Sequence, residues 1–138
     1  MIVGCDPDTS APSYAYFVNG ELQSYTHETR GPRVRPPYPR EAVIVVELQF
    51  IDRHGRVPDQ DILDLARAAG ESSMHFDQVQ WVTATRWKGD LSKAQTRAWI
   101  DSVLTDQEKY VVRGLPKKVL HEVLDAVGIG LWKVGRLR

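Results

Sequence analysis

The chain opens on a short apolar run, Met1–Cys5, that stops at Asp6-Pro7, the pattern of a buried strand ending in a turn. Ser13–Val18 and Glu21–Thr26 are β-prone segments joined by Asn19-Gly20, the pair favoured in type I′ hairpin turns. AVIVVELQF, 42–50, begins with five successive apolar residues, mostly β-branched, and predicts a strand covered on both faces. Pro58 and three nearby Asp open a helix whose apolar stripe is Ile62, Leu65, Ala66 and Ala69. QVQWVTATRW, 78–87, alternates as another strand, and SKAQTRAWIDSVL, 92–104, reads as a helix with Ser92 as its N-cap. The last helix starts near Leu115-Pro116 and runs to about Trp132, weakened by Gly128 and Gly130. Residues 28–40, rich in Pro, Arg and Gly, are expected to form an exposed loop.

This order is strand, hairpin, strand, helix, strand, helix, helix. It predicts an α/β domain with a mixed five-stranded sheet, an antiparallel N-terminal hairpin plus parallel strands, flanked by helices. That is the order of an RNase H-like fold, spanning residues 1–138 as one domain. At 138 residues a single sizeable core is available, and 42% apolar with 26% charged residues is ordinary for a globular chain. No apolar run approaches the roughly 18–20 residues of a membrane span, and the first residues lack the basic start of a signal peptide. Cys5 alone cannot form an internal disulfide, which is compatible with a cytoplasmic location.

Net charge is zero, but its distribution is uneven. Residues 1–28 hold four acids and no Lys or Arg, and residues 29–40 hold four Arg and no acid. Residues 41–80 carry eight acids against three bases, and from 109 onward seven bases face two acids. A balanced chain can therefore present a positive surface around a negative pit.

The acids fall in informative places. Asp6 ends the first strand and Glu47 directly follows an apolar one. Glu122 and Asp125, three apart in VLHEVLDAVGIGLW, share one face of the last helix. Each alone is commonplace, since a helical pair of acids usually faces solvent. Together, carboxylates converging in apolar surroundings need protons or cations. Four of them suit Mg²⁺, with Mn²⁺ as substitute, and two such ions about 4 Å apart support phosphodiester hydrolysis.

GCDPDTSAPSYAYFV, VVELQF, WKGDLSKAQTRAWI and EVLDAVGIGLW occur in the same order as, and resemble, the motifs of the RuvC Holliday-junction resolvases. The resemblance implies that Asp6, Glu47, Glu122 and Asp125 bind two metal ions. It places Lys93 near the scissile phosphate and Phe50 where an aromatic stacks on bases of an opened junction. The family's glycine after Asp-Pro is Asp8 here, which reads as a turn residue, and its first acid on the last helix is Glu122. His121, four residues before Asp125, is a rival ligand. Arg30, Arg33, Arg35 and Arg40, with Lys88 and Lys93, are the expected DNA contacts, a plain linker being the alternative for the arginine segment.

The resemblance thus implies a homodimeric endonuclease that resolves four-way junctions, with no membrane or small-molecule partner, in a bacterial cell or a virus-infected host. Surface aromatics such as Trp87 or Trp99 would serve the dimer face. Three other readings stand beside it. One is an RNase H-like nuclease acting on hybrids or flaps, and another is a catalytically inactive junction-binding protein. The third is an actin-like ATP-binding protein, for whose two lobes the chain is too short.

Overall fold

The computed structural model describes residues 1–48 and 59–137. Its strands are β1 (Ile2–Asp6), β2 (Ser13–Val18), β3 (Glu21–His27), β4 (Val43–Leu48) and β5 (Gln78–Thr83). The helices are α1 (Asp59–Ser73), α2 (Ala84–Lys88), α3 (Lys93–Val103), α4 (Asp106–Val111) and α5 (Lys117–Lys133). The strands form one sheet in the order β3-β2-β1-β4-β5. β1 pairs antiparallel with β2 and β2 with β3, whereas β1–β4 and β4–β5 are parallel. The expected mixed five-stranded sheet with helices on its faces is present.

Local signals explain much of this. Asn19 and Gly20 both take positive φ, 52° and 81°, as a type I′ turn demands. Ser92 and Gln95 close a capping box at the start of α3, and Thr105 and Glu108 close another on α4. Two short helices were not foreseen: the apolar alternation of 78–87 breaks at Thr83, whose side chain caps α2, and α4 follows α3 with only Leu104 and Thr105 between them.

Side chains alternate between two cores. Val3, Cys5, Tyr14, Ile44 and Val46 point to one face, where they meet Ala69 of α1 and Tyr38. The 28–40 segment is thus only in part the exposed loop expected of it: Thr29, Arg30, Arg33, Arg35, Pro37 and Arg40 are exposed, but other residues anchor it. Pro32, Pro36 and Tyr38 are buried, and the Tyr38 ring stacks on Tyr16 at 4.9 Å while its hydroxyl bonds Thr26 at 2.7 Å. Ala15, Phe17 and Val45 point to the other face, against α5.

α5 lies directly on the backbone of β1. A Cβ on Gly4 would stand 2.1 Å from the Ala126 carbonyl oxygen, and one on Gly130 would stand 2.1 Å from the Phe17 ring. Gly130 thus does not mark the weakening of α5; it permits the close approach. Since Phe17 pairs with Ile2, the helix runs back along β1: Gly130 near Ile2, Ala126 over Gly4, and the preceding turn toward Asp6. Among the described residues no helix is long and apolar enough to cross a membrane.

Candidate metal and phosphodiester site

The carboxylates are placed by strand register. Gly4 pairs with Val45 and Cys5 with Val46, so Asp6 and Glu47 come next on adjacent parallel strands and leave the same face of the sheet. The reversed course of α5 carries Asp125 and Glu122 down onto that row. Burial, then the charges of Asp125, Glu47 and Glu122, push the Asp6 carboxyl well above its ordinary range, with Lys88 pulling the other way. These four acids are therefore electrostatic neighbours, drawn from β1, β4 and α5.

Glu47 is only 5% exposed and its Oε2 accepts the Trp87 indole N–H at 2.6 Å. Trp87 is itself 2% exposed, so it cannot serve a dimer face; it orients a carboxylate instead. Nothing local in the sequence marked it, because its role depends on the turn from β5 into α2. Trp99 is half-buried against the α5-side core. Glu122 Oε2 lies 3.6 Å from His27 Nδ1. His121 points elsewhere, contacting Arg97 of α3 through its Nδ1. Asp8 accepts N–H bonds from Ser10 at 2.8 Å and Ala11 at 2.9 Å, the work of a turn residue.

The donor set is all oxygen and strongly acidic, which fits a hard divalent ion such as Mg²⁺. Among the described residues, no group of three or more His, Cys, Asp or Glu side chains is arranged as it stands to hold a metal ion. The four acids are brought near one another by strand register and the course of α5, against their mutual repulsion, rather than locked around one point.

The cations sort into two sets. Lys88 stands over the Trp87 ring at 5.1 Å and its charge reaches Asp6. Lys93 instead lines a groove of about 730 Å³ between α3, α4 and α5. Its apolar lining includes Leu104, Val112, Leu120 and Leu124, and its rim carries Lys93, Arg97, Lys109 and Arg113 against one acid, Asp101. An adjoining hollow lined by Arg97, Lys117, Lys118, His121 and Glu122 leads from this rim toward the carboxylates.

The arginine-rich connection is engaged within the molecule. Arg30 makes a bidentate pair with buried Glu28, Arg33 Nε donates to Glu71 at 2.7 Å, and Arg40 Nε donates to Asp77 at 2.8 Å. Arg35 is exposed. Phe50 lies outside the described residues. No protein-family model matches the chain, and no curated protein matches it.

Proposed function

We propose that this chain is a metal-dependent endonuclease of the RNase H-like, RuvC type that cuts branched DNA such as a four-way junction. The observation that carries the reading is the convergence of Asp125, Glu47 and Glu122 on Asp6. Carboxylates of like charge are gathered at such cost chiefly where a cation is to be bound. The sheet order β3-β2-β1-β4-β5, with an antiparallel hairpin leading into parallel strands, agrees with that fold class.

Asp6, Glu47, Glu122 and Asp125 would hold magnesium, with manganese as substitute. Once bound, two such ions supply an activated water and stabilise the leaving oxygen. The remaining roles belong to the chain. Trp87 fixes the Glu47 carboxylate through its N–H bond. Lys88, whose charge reaches Asp6, would meet a phosphate. The basic rim of the α3–α5 groove is a better phosphate track than the 29–40 segment, whose Arg30, Arg33 and Arg40 already pair with Glu28, Glu71 and Asp77. A homodimer follows from the two symmetric cuts that a junction requires.

The test is a synthetic four-way junction incubated with a metal series. Nicking is expected with Mg²⁺ or Mn²⁺ and none in EDTA. Binding without cleavage in either metal would overturn the enzymatic reading in favour of a junction-binding protein. An RNA–DNA hybrid or flap cut faster than the junction would reassign the substrate.

A further inference from the structure

Ser13, Asp6 and His27 stand in one row across three strands. Asp6 pairs with Ser13 on β2, and Ser13 pairs with His27 on β3. Directly opposed residues share a face, so all three look toward α5, with Glu47 next in line on β4. His27 reaches this face only because the β2–β3 register shifts between Tyr16 and Phe17. Val18 faces Glu21 and Phe17 faces Leu22, but Tyr16 then faces Ser24, which leaves Gln23 as the extra residue. A regular hairpin would have set Thr26 opposite Ser13 and turned His27 to the other face. Bulges beside functional sites commonly re-aim a side chain in this way.

The row is polar where its surroundings are not. Ser13 is 1% exposed, and its Oγ lies 2.9 Å from His27 Nδ1. The same nitrogen is 3.6 Å from Glu122 Oε2, beyond a direct hydrogen bond but within ion-dipole reach. Glu122 thus feels the like charge of Asp6 and lies near an imidazole anchored to a buried hydroxyl.

We infer that His27 and Ser13 are positioning residues of this site: Ser13 anchors the His27 ring, and the ring holds the Glu122 carboxylate beside Asp6 against their mutual repulsion. The inference rests on the nuclease reading, because it assumes that Glu122 serves a bound cation. Outer partners of ligating carboxylates act by fixing orientation, and their loss weakens metal affinity about 10- to 100-fold.

The experiment measures Mn²⁺ binding to the whole chain without DNA, by electron paramagnetic resonance of the free ion. His27→Ala is expected to bind at least about tenfold more weakly than the unaltered chain. His27→Asn, whose Nδ2 can replace Nδ1, should recover most of that loss. Ser13→Ala should fall between the two, and circular dichroism melts establish that each variant is folded. Unchanged Mn²⁺ affinity in folded His27→Ala overturns the inference and leaves the nuclease reading standing. Should His27→Ala not fold, unchanged affinity in Ser13→Ala overturns it equally. Absence of Mn²⁺ binding by the unaltered chain removes both.

Discussion

Asp6 is where burial and like charge oppose ionisation most directly. Its carboxyl is raised by burial and by Asp125, Glu47 and Glu122, so it binds a proton more tightly folded than unfolded. The stability gained from that proton is present below the ordinary Asp value of about 4 and is lost as pH climbs through the raised value. Asp6→Asn removes the penalty. It should raise the metal-free unfolding midpoint at neutral pH, with the gain vanishing near pH 4, and it should abolish junction cleavage. Calorimetric melts across that range check the first effect, and added Mg²⁺ should stabilise only the unaltered chain. Glu108 behaves oppositely. Burial alone would raise it, but hydrogen bonds from Arg136 and from the Leu22 and Thr105 N–H groups, with the Arg136 charge, hold it down to about 2. Arg136 also donates to the Gly20 and Val103 carbonyls, tying the hairpin turn to α3 and α4. Glu108→Gln leaves that guanidinium only its carbonyl acceptors and the weaker charge of Glu21, and should cost about 3 kcal/mol in urea unfolding at neutral pH. The difference should close as pH falls from the ordinary 4.5 toward about 2, where the native carboxylate itself becomes protonated.

At the scale of elements, α5 unites stability with chemistry. Val123, Val127, Ile129 and Leu131 are fully buried, each contributing about 1.5–3 kcal/mol by its removal from water. The helix can sit low enough to carry its acids to Asp6 because Gly4 and Gly130 have no Cβ where backbone and ring approach. Gly130→Ala would gain about 1 kcal/mol of helix propensity yet place a methyl 2.1 Å from Phe17. The clash should dominate, with a net loss of about 1–3 kcal/mol by thermal denaturation. Phe17→Leu in the same chain should recover part of it, a non-additivity expected of touching residues.

Over the whole molecule, zero net charge conceals a separation of sign. The acids of β1, β4 and α5 gather at one end of the sheet, while Lys93, Arg97, Lys109 and Arg113 rim the neighbouring groove. If that rim tracks DNA, Lys93→Ala with Arg113→Ala should lower the slope of log affinity against log salt by about 2, roughly 0.9 for each phosphate no longer neutralised. Arg33→Ala with Arg40→Ala should leave the slope unchanged, because those side chains already serve Glu71 and Asp77. Filter binding of a junction across a salt series distinguishes the pairs of variants.

Whatever short-range physics controls was legible in the order of residues alone. Alternation and β-branching marked the five strands, Asn19-Gly20 set the hairpin, Ser92 and Gln95 started α3, and the acids could be picked out at strand ends and on one helical face. Folding in three dimensions was needed for everything that depends on register and approach between distant segments. A single extra residue at Gln23 brings His27 onto the face of Asp6, and the turn into α2 delivers the Trp87 N–H to Glu47. The 29–40 arginines illustrate the same division: their sequence shows four positive charges and sets Arg30 two residues from Glu28, while only packing pairs Arg33 with Glu71 and Arg40 with Asp77. Propensity acts over a few neighbours, whereas the face a side chain takes and the partner it meets are fixed by the fold's long-range geometry.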